Sequence, residues 1–126
     1  MSLTPSILVT GANGQLGSEL KKITQEFSQF NFTFCTRQEL PLEDKVAIRN
    51  YFEAHQYDFL INCAAYTAVD KAESERELAF QINATSVGLL AAICRDNNTK
   101  FLHFSTDYVF DGNATEPYKT DDATNP

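Results

Sequence analysis

The eight residues TGANGQLG, at positions 10–17, constrain this chain more than any other stretch. They follow a short apolar run, Ile7-Leu8-Val9. They precede a segment, 16–27, in which Leu16, Leu20, Ile23 and Phe27 recur at helical spacing. Glycines fall at Gly11, Gly14 and Gly17, a GxxGxxG spacing rather than the commoner GxGxxG. Between a strand and a helix such a turn has three uses: a tight reversal, close approach of backbone to a pyrophosphate, and close packing of helix on strand. The helix start adds unpaired N–H groups and the positive end of the helix dipole. The plainer alternative is a glycine-rich turn with no ligand.

The rest of the chain repeats this alternation. Residues 32–35 read as a second strand, and 44–55 place Val46, Ala47, Ile48, Tyr51 and Phe52 on a helical stripe. Residues 59–61 read as a third strand, ending in Asn62-Cys63-Ala64-Ala65. The stretch 73–96 reads as one long helix carrying Leu78, Ile82, Leu89, Leu90 and Ile93, with Asp70 or Ser74 as its cap. Residues 101–104 read as a fourth, buried strand. The order βαβαβαβ predicts an α/β fold, a Rossmann-type doubly wound parallel sheet filling 1–126 as one domain. Its strands are expected to be covered on both faces. The end of the chain, NATEPYKTDDATNP, has no apolar pattern and reads either as a disordered end or as a loop parted from its continuation.

Charge narrows the partners. Ten basic residues stand against 17 acidic ones, a net of −7. Nucleic-acid binding needs clustered Lys and Arg, so none is expected. A small phosphorylated ligand held by backbone N–H groups stays open. Cys35, Cys63 and Cys94 form no CxxC pair and no metal-spaced cluster, which suits a reduced cytoplasmic setting. No basic segment followed by a long apolar run marks a secretory leader. No apolar run approaches the roughly 18 to 20 residues of a membrane span, so no membrane partner is expected.

In a doubly wound sheet the ligand sits at the carboxyl ends of the strands, so the strand ends supply the site candidates. Gly11, Gly14, Gln15, Leu16 and Gly17 follow the first strand. After the second comes Thr36-Arg37, where an acid commonly holds the ribose. Arg37 suits a ribose 2′-phosphate and so NADPH; Glu39 keeps NADH open, and a solvated arginine is the alternative. Ala64 and Ala65 end the third strand, where small side chains admit a cofactor or simply pack, and Tyr66 and Thr67 follow. Lys71, Glu73 and Glu75 read as a solvated helix start. Ser105-Thr106-Asp107-Tyr108 ends the fourth strand. Thr106 can donate to a carbonyl oxygen as charge develops there, and Asp107 and Tyr108 can hold sugar hydroxyls. Each can equally make a local turn bond. Gly11, Ala64 and Thr106 are expected to line one crevice.

Together TGANGQLG, INCAAYTAVDKAESE, INATSVGLLA and STDYVFDG resemble the dTDP-4-dehydrorhamnose reductase family of the extended short-chain dehydrogenase/reductase superfamily, over 7–126. The resemblance implies reduction of the C4 ketone of dTDP-4-dehydro-L-rhamnose, with NADPH or NADH as cofactor and a dTDP-sugar as substrate. It implies Thr106 as the catalytic threonine, with cofactor contacts at Gly14-Gln15-Leu16, Leu42 and Ala64-Ala65-Tyr66-Thr67, and a substrate contact at Asp107. It implies that Asn83 supports a proton relay, where a kink or a local hydrogen bond is the alternative. Pro41 stands where the family usually has an acid, and Thr36 faces the ribose, so the choice between NADH and NADPH stays open. The family's YxxxK pair is absent from these 126 residues, and Tyr118-Lys119 lacks the spacing. The segment alone is therefore expected to bind cofactor without turnover. The family can dimerise around a magnesium ion; a homodimer is expected of the longer protein, and no position here is assigned to the metal. Two rivals use the same fold: a non-catalytic regulatory subunit, and an epimerase or dehydratase.

Overall fold

The four apolar runs become four parallel strands: β1 (Ser6–Thr10), β2 (Asn31–Cys35), β3 (Phe59–Asn62) and β4 (Lys100–His103), in the order β2-β1-β3-β4. This computed structural model describes residues 3–126; Met1 and Ser2, the start of the stretch screened for a leader, lie outside the described residues. β2 flanks β1 on one side and β3 on the other, so the winding of the sheet reverses between β1 and β3. That is where a doubly wound sheet opens a crevice. At the carboxyl edge the register aligns Cys35, Thr10, Asn62 and His103 in one row. At the amino edge Asp58 joins β1 to β3, its Oδ2 accepting from Ser6 N at 2.8 Å and Ser6 Oγ at 3.0 Å.

Helix α1 (Gln15–Ile23) ends in a tighter 3₁₀ turn at Thr24–Phe27. Helix α2 (Lys45–Ala54) starts at Asp44, whose Oδ1 accepts from Val46 N at 2.9 Å and Ala47 N at 3.0 Å. A short α3 (Val69–Ala72) precedes α4 (Arg76–Phe80), a π turn (Gln81–Thr85) and α5 (Ser86–Asp96). Strand alternation sends Leu8 and Leu60 to one sheet face. There they meet Ile48 and Phe52 of α2, and Ile82, Leu90 and Cys94 of the long helix. Leu8, Ile48, Leu60 and Leu90 are fully buried, each burial stabilising by about 2 kcal/mol. Burial pushes the Cys94 thiol up to about 11, and all three cysteines are free thiols.

Several expectations are corrected. Only β1 is covered on both faces: β4 is an edge strand, and its Leu102 and the following Phe104 are exposed. On the sheet face carrying Ile7 and Val9, α1 reaches the β1–β2 end through Gly17 and through Lys21 over the Phe34 ring. The stretch 73–96 is not one helix. It breaks at 73–75, and neither Asp70 nor Ser74 caps α4; Ser74 Oγ donates instead to Lys71 O at 3.0 Å. The continuous part, Arg76–Asp96, is long and apolar enough to cross a membrane by length and composition. It lies on the sheet instead, burying Ile82, Ser86, Leu90 and Cys94 at a spacing of four.

The end of the chain, finally, is a folded-back loop rather than a disordered one. Asp111 Oδ1 accepts from Tyr118 OH at 2.5 Å and from Asn113 N at 3.0 Å, Tyr118 stacks on Phe110, and Asn125 N donates to Val109 O at 3.1 Å. Those bonds hold the Asp111 carboxyl below the usual carboxylate range, with the Tyr118 hydroxyl as the main cause.

Candidate functional site

Two chain reversals meet where the winding turns. Gly11 leaves β1 at φ +67°, and a Cβ on it would lie 2.6 Å from Ala64 N and 2.7 Å from Ala64 Cα. The turns after β1 and β3 are thus in backbone contact, and only glycine fits both the angle and the space. A Cβ on Gly17 would lie 2.2 Å from Gly11 O, so the first turn of α1 presses directly on the strand end. Gly14 differs. Its φ of −74° suits any residue, and its Cβ would stop 3.2 Å from Gly11 O. It begins α1 with no side-chain cap and no acid in the first turn. The free N–H groups there favour an anion. Gly11 and Gly17 are thus explained by packing, whereas at Gly14 the fold makes no comparable demand for glycine.

A cleft of about 860 Å3 opens at this point, lined from the first turn by Gly11, Asn13, Gly14, Gln15, Leu16 and Glu19. The loop between β2 and α2 adds Arg37, Leu40, Leu42 and Glu43; the β3 end adds Cys63, Ala64, Ala65, Tyr66, Thr67 and Ala68; the long helix adds Ile82. The volume is within the usual range for a small-molecule site. Every expected cofactor position except Gly17 lies in this lining, and Gly17 sits behind it as packing. Thr106, Asp107 and Tyr108 do not line it. They are exposed beyond β4, which is separated from β1 by β3. The crevice therefore brings Gly11 and Ala64 together without Thr106.

The walls are fixed by buried polar contacts. Asn62 is 1% exposed, and its Oδ1 accepts from Thr10 Oγ1 at 2.5 Å and from Ala64 N at 3.2 Å. A backbone N–H must donate, so the Asn62 atom facing it is oxygen and the other is the amide nitrogen. That nitrogen meets His103 Nδ1 at 3.1 Å, so His103 accepts there and carries its proton on Nε2. Ser86 is fully buried, and its hydroxyl donates to Leu42 O, tying the long helix to the cleft loop.

At the cleft mouth Tyr66 OH donates to Glu75, and this bond is the main cause holding the phenol above its ordinary value. Glu39 does not line the cleft. Its Oε2 accepts from Thr36 N at 2.8 Å and Thr36 Oγ1 at 3.1 Å, closing the turn after β2. Arg37 pairs with Glu43, whose second oxygen, Oε2, is buried without a partner among the described residues.

Asn83 lies in the π turn, and its amide bonds a distant loop rather than local backbone. Its Oδ1 accepts from Tyr66 N at 2.7 Å and its Nδ2 donates to Tyr66 O at 3.0 Å, so the amide clamps the strand-end loop across 17 residues. The π turn that holds it also carries Ile82 to the cleft. Asn83→Ala should lower stability by about 1 kcal/mol, since both bonds are exposed. It should also speed amide exchange at Tyr66, measured by NMR; unchanged exchange there would remove the clamp from the account.

Sequence reasoning missed Glu43, Asn62 and His103 as site residues. Glu43 was visible as an acid beside Leu42, but its direction was not. Asn62 and His103 gave one signal, polar residues inside or ending apolar strands. Among the described residues no group of three His, Cys, Asp or Glu side chains is placed to hold a metal ion.

Comparison with known proteins agrees with this fold. A family model described as the RmlD substrate binding domain matches residues 5–126. A dTDP-4-dehydrorhamnose reductase of Streptomyces griseus is 41% identical over 122 residues, covering 97% of this chain and 40% of the relative. The crystal structure of a dTDP-4-dehydrorhamnose reductase from Clostridium acetobutylicum has a TM-score of 0.88 at 40% identity, covering 96% of this chain and 43% of that one. A dTDP-4-dehydrorhamnose reductase from Bacillus anthracis, in complex with NADP, has a TM-score of 0.89 at 31% identity, covering 100% and 45%. The chain thus spans less than half the length of the relatives it matches.

Proposed function

The chain belongs to the RmlD substrate-binding-domain family, and from that premise we propose that it is the dinucleotide-binding portion of a dTDP-4-dehydrorhamnose reductase. The longer protein reduces the C4 ketone of dTDP-4-dehydro-L-rhamnose to dTDP-L-rhamnose in the cytoplasm. The observation that carries this is the uncapped start of α1 at Gly14, opening on a cleft whose far wall is the Ala64 backbone. The N–H groups of Gln15 and Leu16 suit a pyrophosphate. Leu42 and 64–67 wall the rest of the dinucleotide, which supplies the hydride when bound.

Thr106 donates to the ketone oxygen as charge develops there, and Asp107 and Tyr108 hold the sugar. Their exposure beyond β4 leaves them open to a substrate approaching from the carboxyl edge. The acid that protonates the new alkoxide is not among these residues, which contain no YxxxK.

The test is a titration of this chain with NADPH and NADH, followed by addition of the 4-keto sugar nucleotide. Both dinucleotides should bind, and NADPH absorbance should then stay constant. Ketone reduction by this chain alone, or failure to bind either dinucleotide, would refute the reading.

A further inference from the structure

The cleft's electrostatics do not suit the phosphate that Arg37 was expected to attract. Its lining brings one cation, Arg37, against two carboxylates, Glu43 and Glu19, of which Glu19 is already paired with Lys22 at 2.6 Å. Arg37 is also already engaged. Its Nε and Nη2 both reach Glu43 Oε1 at 2.7 Å, so one edge of the guanidinium converges on a single oxygen. The other Glu43 oxygen is buried with no hydrogen-bond partner among the described residues. The carboxylate therefore holds the arginine while keeping an unmet need for a donor.

Resting on the dinucleotide reading above, we propose that Glu43 is a specificity-determining residue that discriminates against a nucleotide carrying a 2′-phosphate on its ribose. A dianionic phosphate at Arg37 must either displace Glu43 or sit within a few ångströms of a second negative charge. Displacement would also cost the carboxylate the only donors it has among the described residues. A ribose that keeps its 2′-hydroxyl faces neither penalty, and it brings a donor that a carboxylate can accept. Glu39, the acid expected to favour the hydroxyl, is turned away to Thr36, so Glu43 is the acid of this loop that faces the cleft. The size of the effect follows from exposure. Arg37 is 67% exposed and Glu43 29%, so water screens the pair and the discrimination is several-fold rather than thousands-fold.

The experiment measures dissociation constants of this chain for NADPH and NADH by nicotinamide fluorescence at one fixed ionic strength. Wild type, Glu43→Gln, Glu43→Ser and Arg37→Ala are compared. Both Glu43 variants should move the NADPH-to-NADH ratio toward NADPH by roughly fivefold, and Arg37→Ala should move it the other way. Two different replacements guard against one that perturbs the loop. A ratio that stays fixed, or that moves toward NADH in the Glu43 variants, overturns the inference while leaving the dinucleotide reading standing. A wild-type chain that binds neither dinucleotide overturns both.

Discussion

Gly11→Ala is expected to lose about 3 to 5 kcal/mol of stability, a large share of what a domain this size possesses. Two costs add. The left-handed φ of +67° costs an alanine about 1 kcal/mol or more, and its Cβ must also clear the Ala64 backbone at 2.6 Å. The obstacle is backbone on a paired strand end, so no side chain can swing aside. Gly17→Ala should behave similarly, its Cβ meeting Gly11 O at 2.2 Å. Gly14→Ala is the informative contrast. With an ordinary φ and a 3.2 Å contact it should cost no more than about 1 kcal/mol, yet it places a methyl where a phosphate would approach the backbone. Thermal denaturation should show the first two variants melting roughly 10 °C or more below wild type, with the third close to wild type but impaired in dinucleotide binding. If Gly14→Ala melts as early as Gly11→Ala, the division of the three glycines between packing and ligand is wrong.

Asn62→Ala is expected to cost about 2 to 4 kcal/mol, although it removes only a small side chain. The residue is 1% exposed, and one amide serves Thr10, Ala64 and His103 on three parallel strands or their ends. Truncation leaves the Ala64 N–H and the buried Thr10 hydroxyl without their partners. The magnitude comes from those stranded groups, since the net worth of the three bonds themselves is smaller. Ala64 is also the cleft wall that meets Gly11, so dinucleotide affinity should fall beyond what loss of folded protein explains. Urea denaturation and a fluorescence titration on the folded fraction separate the two effects. Reduced stability with unaltered affinity would confine Asn62 to a purely architectural role.

The strands and the glycine turn were legible because their signals are local. An apolar run of three or four residues, then a glycine, then a stripe at helical spacing, specify β1, the turn and α1 within 20 residues. The cofactor side of the cleft followed from the rule that parallel strands end on one edge. What stayed hidden was set by residues distant in sequence. A π turn at 81–85 leaves no periodic mark, so the clamp of Asn83 on Tyr66 did not show in the apolar spacing, and the break at 73–75 falls in the polar run Glu73-Ser74-Glu75, outside that spacing. Glu39 and Glu43 look alike in sequence, and only their bonds separate a turn closure from a cleft wall. Thr106 was placed on the correct edge, but the strand order sets it two strands from β1, outside the lining.

The contact between Gly11 and Ala64 also bears on how the cleft comes into being. Those residues are far apart in sequence, and the shape of the glycine turn depends on both. The phosphate-facing loop is therefore not a prefabricated module that residues 10–17 carry with them. Its form requires β3 beside β1, a contact that closes a long loop through the intervening residues. Binding competence is thus a property of the assembled sheet rather than of the motif alone. A ligand that holds the turn to the β3 end thereby opposes the separation of β1 from β3, the opening that would dismantle the sheet.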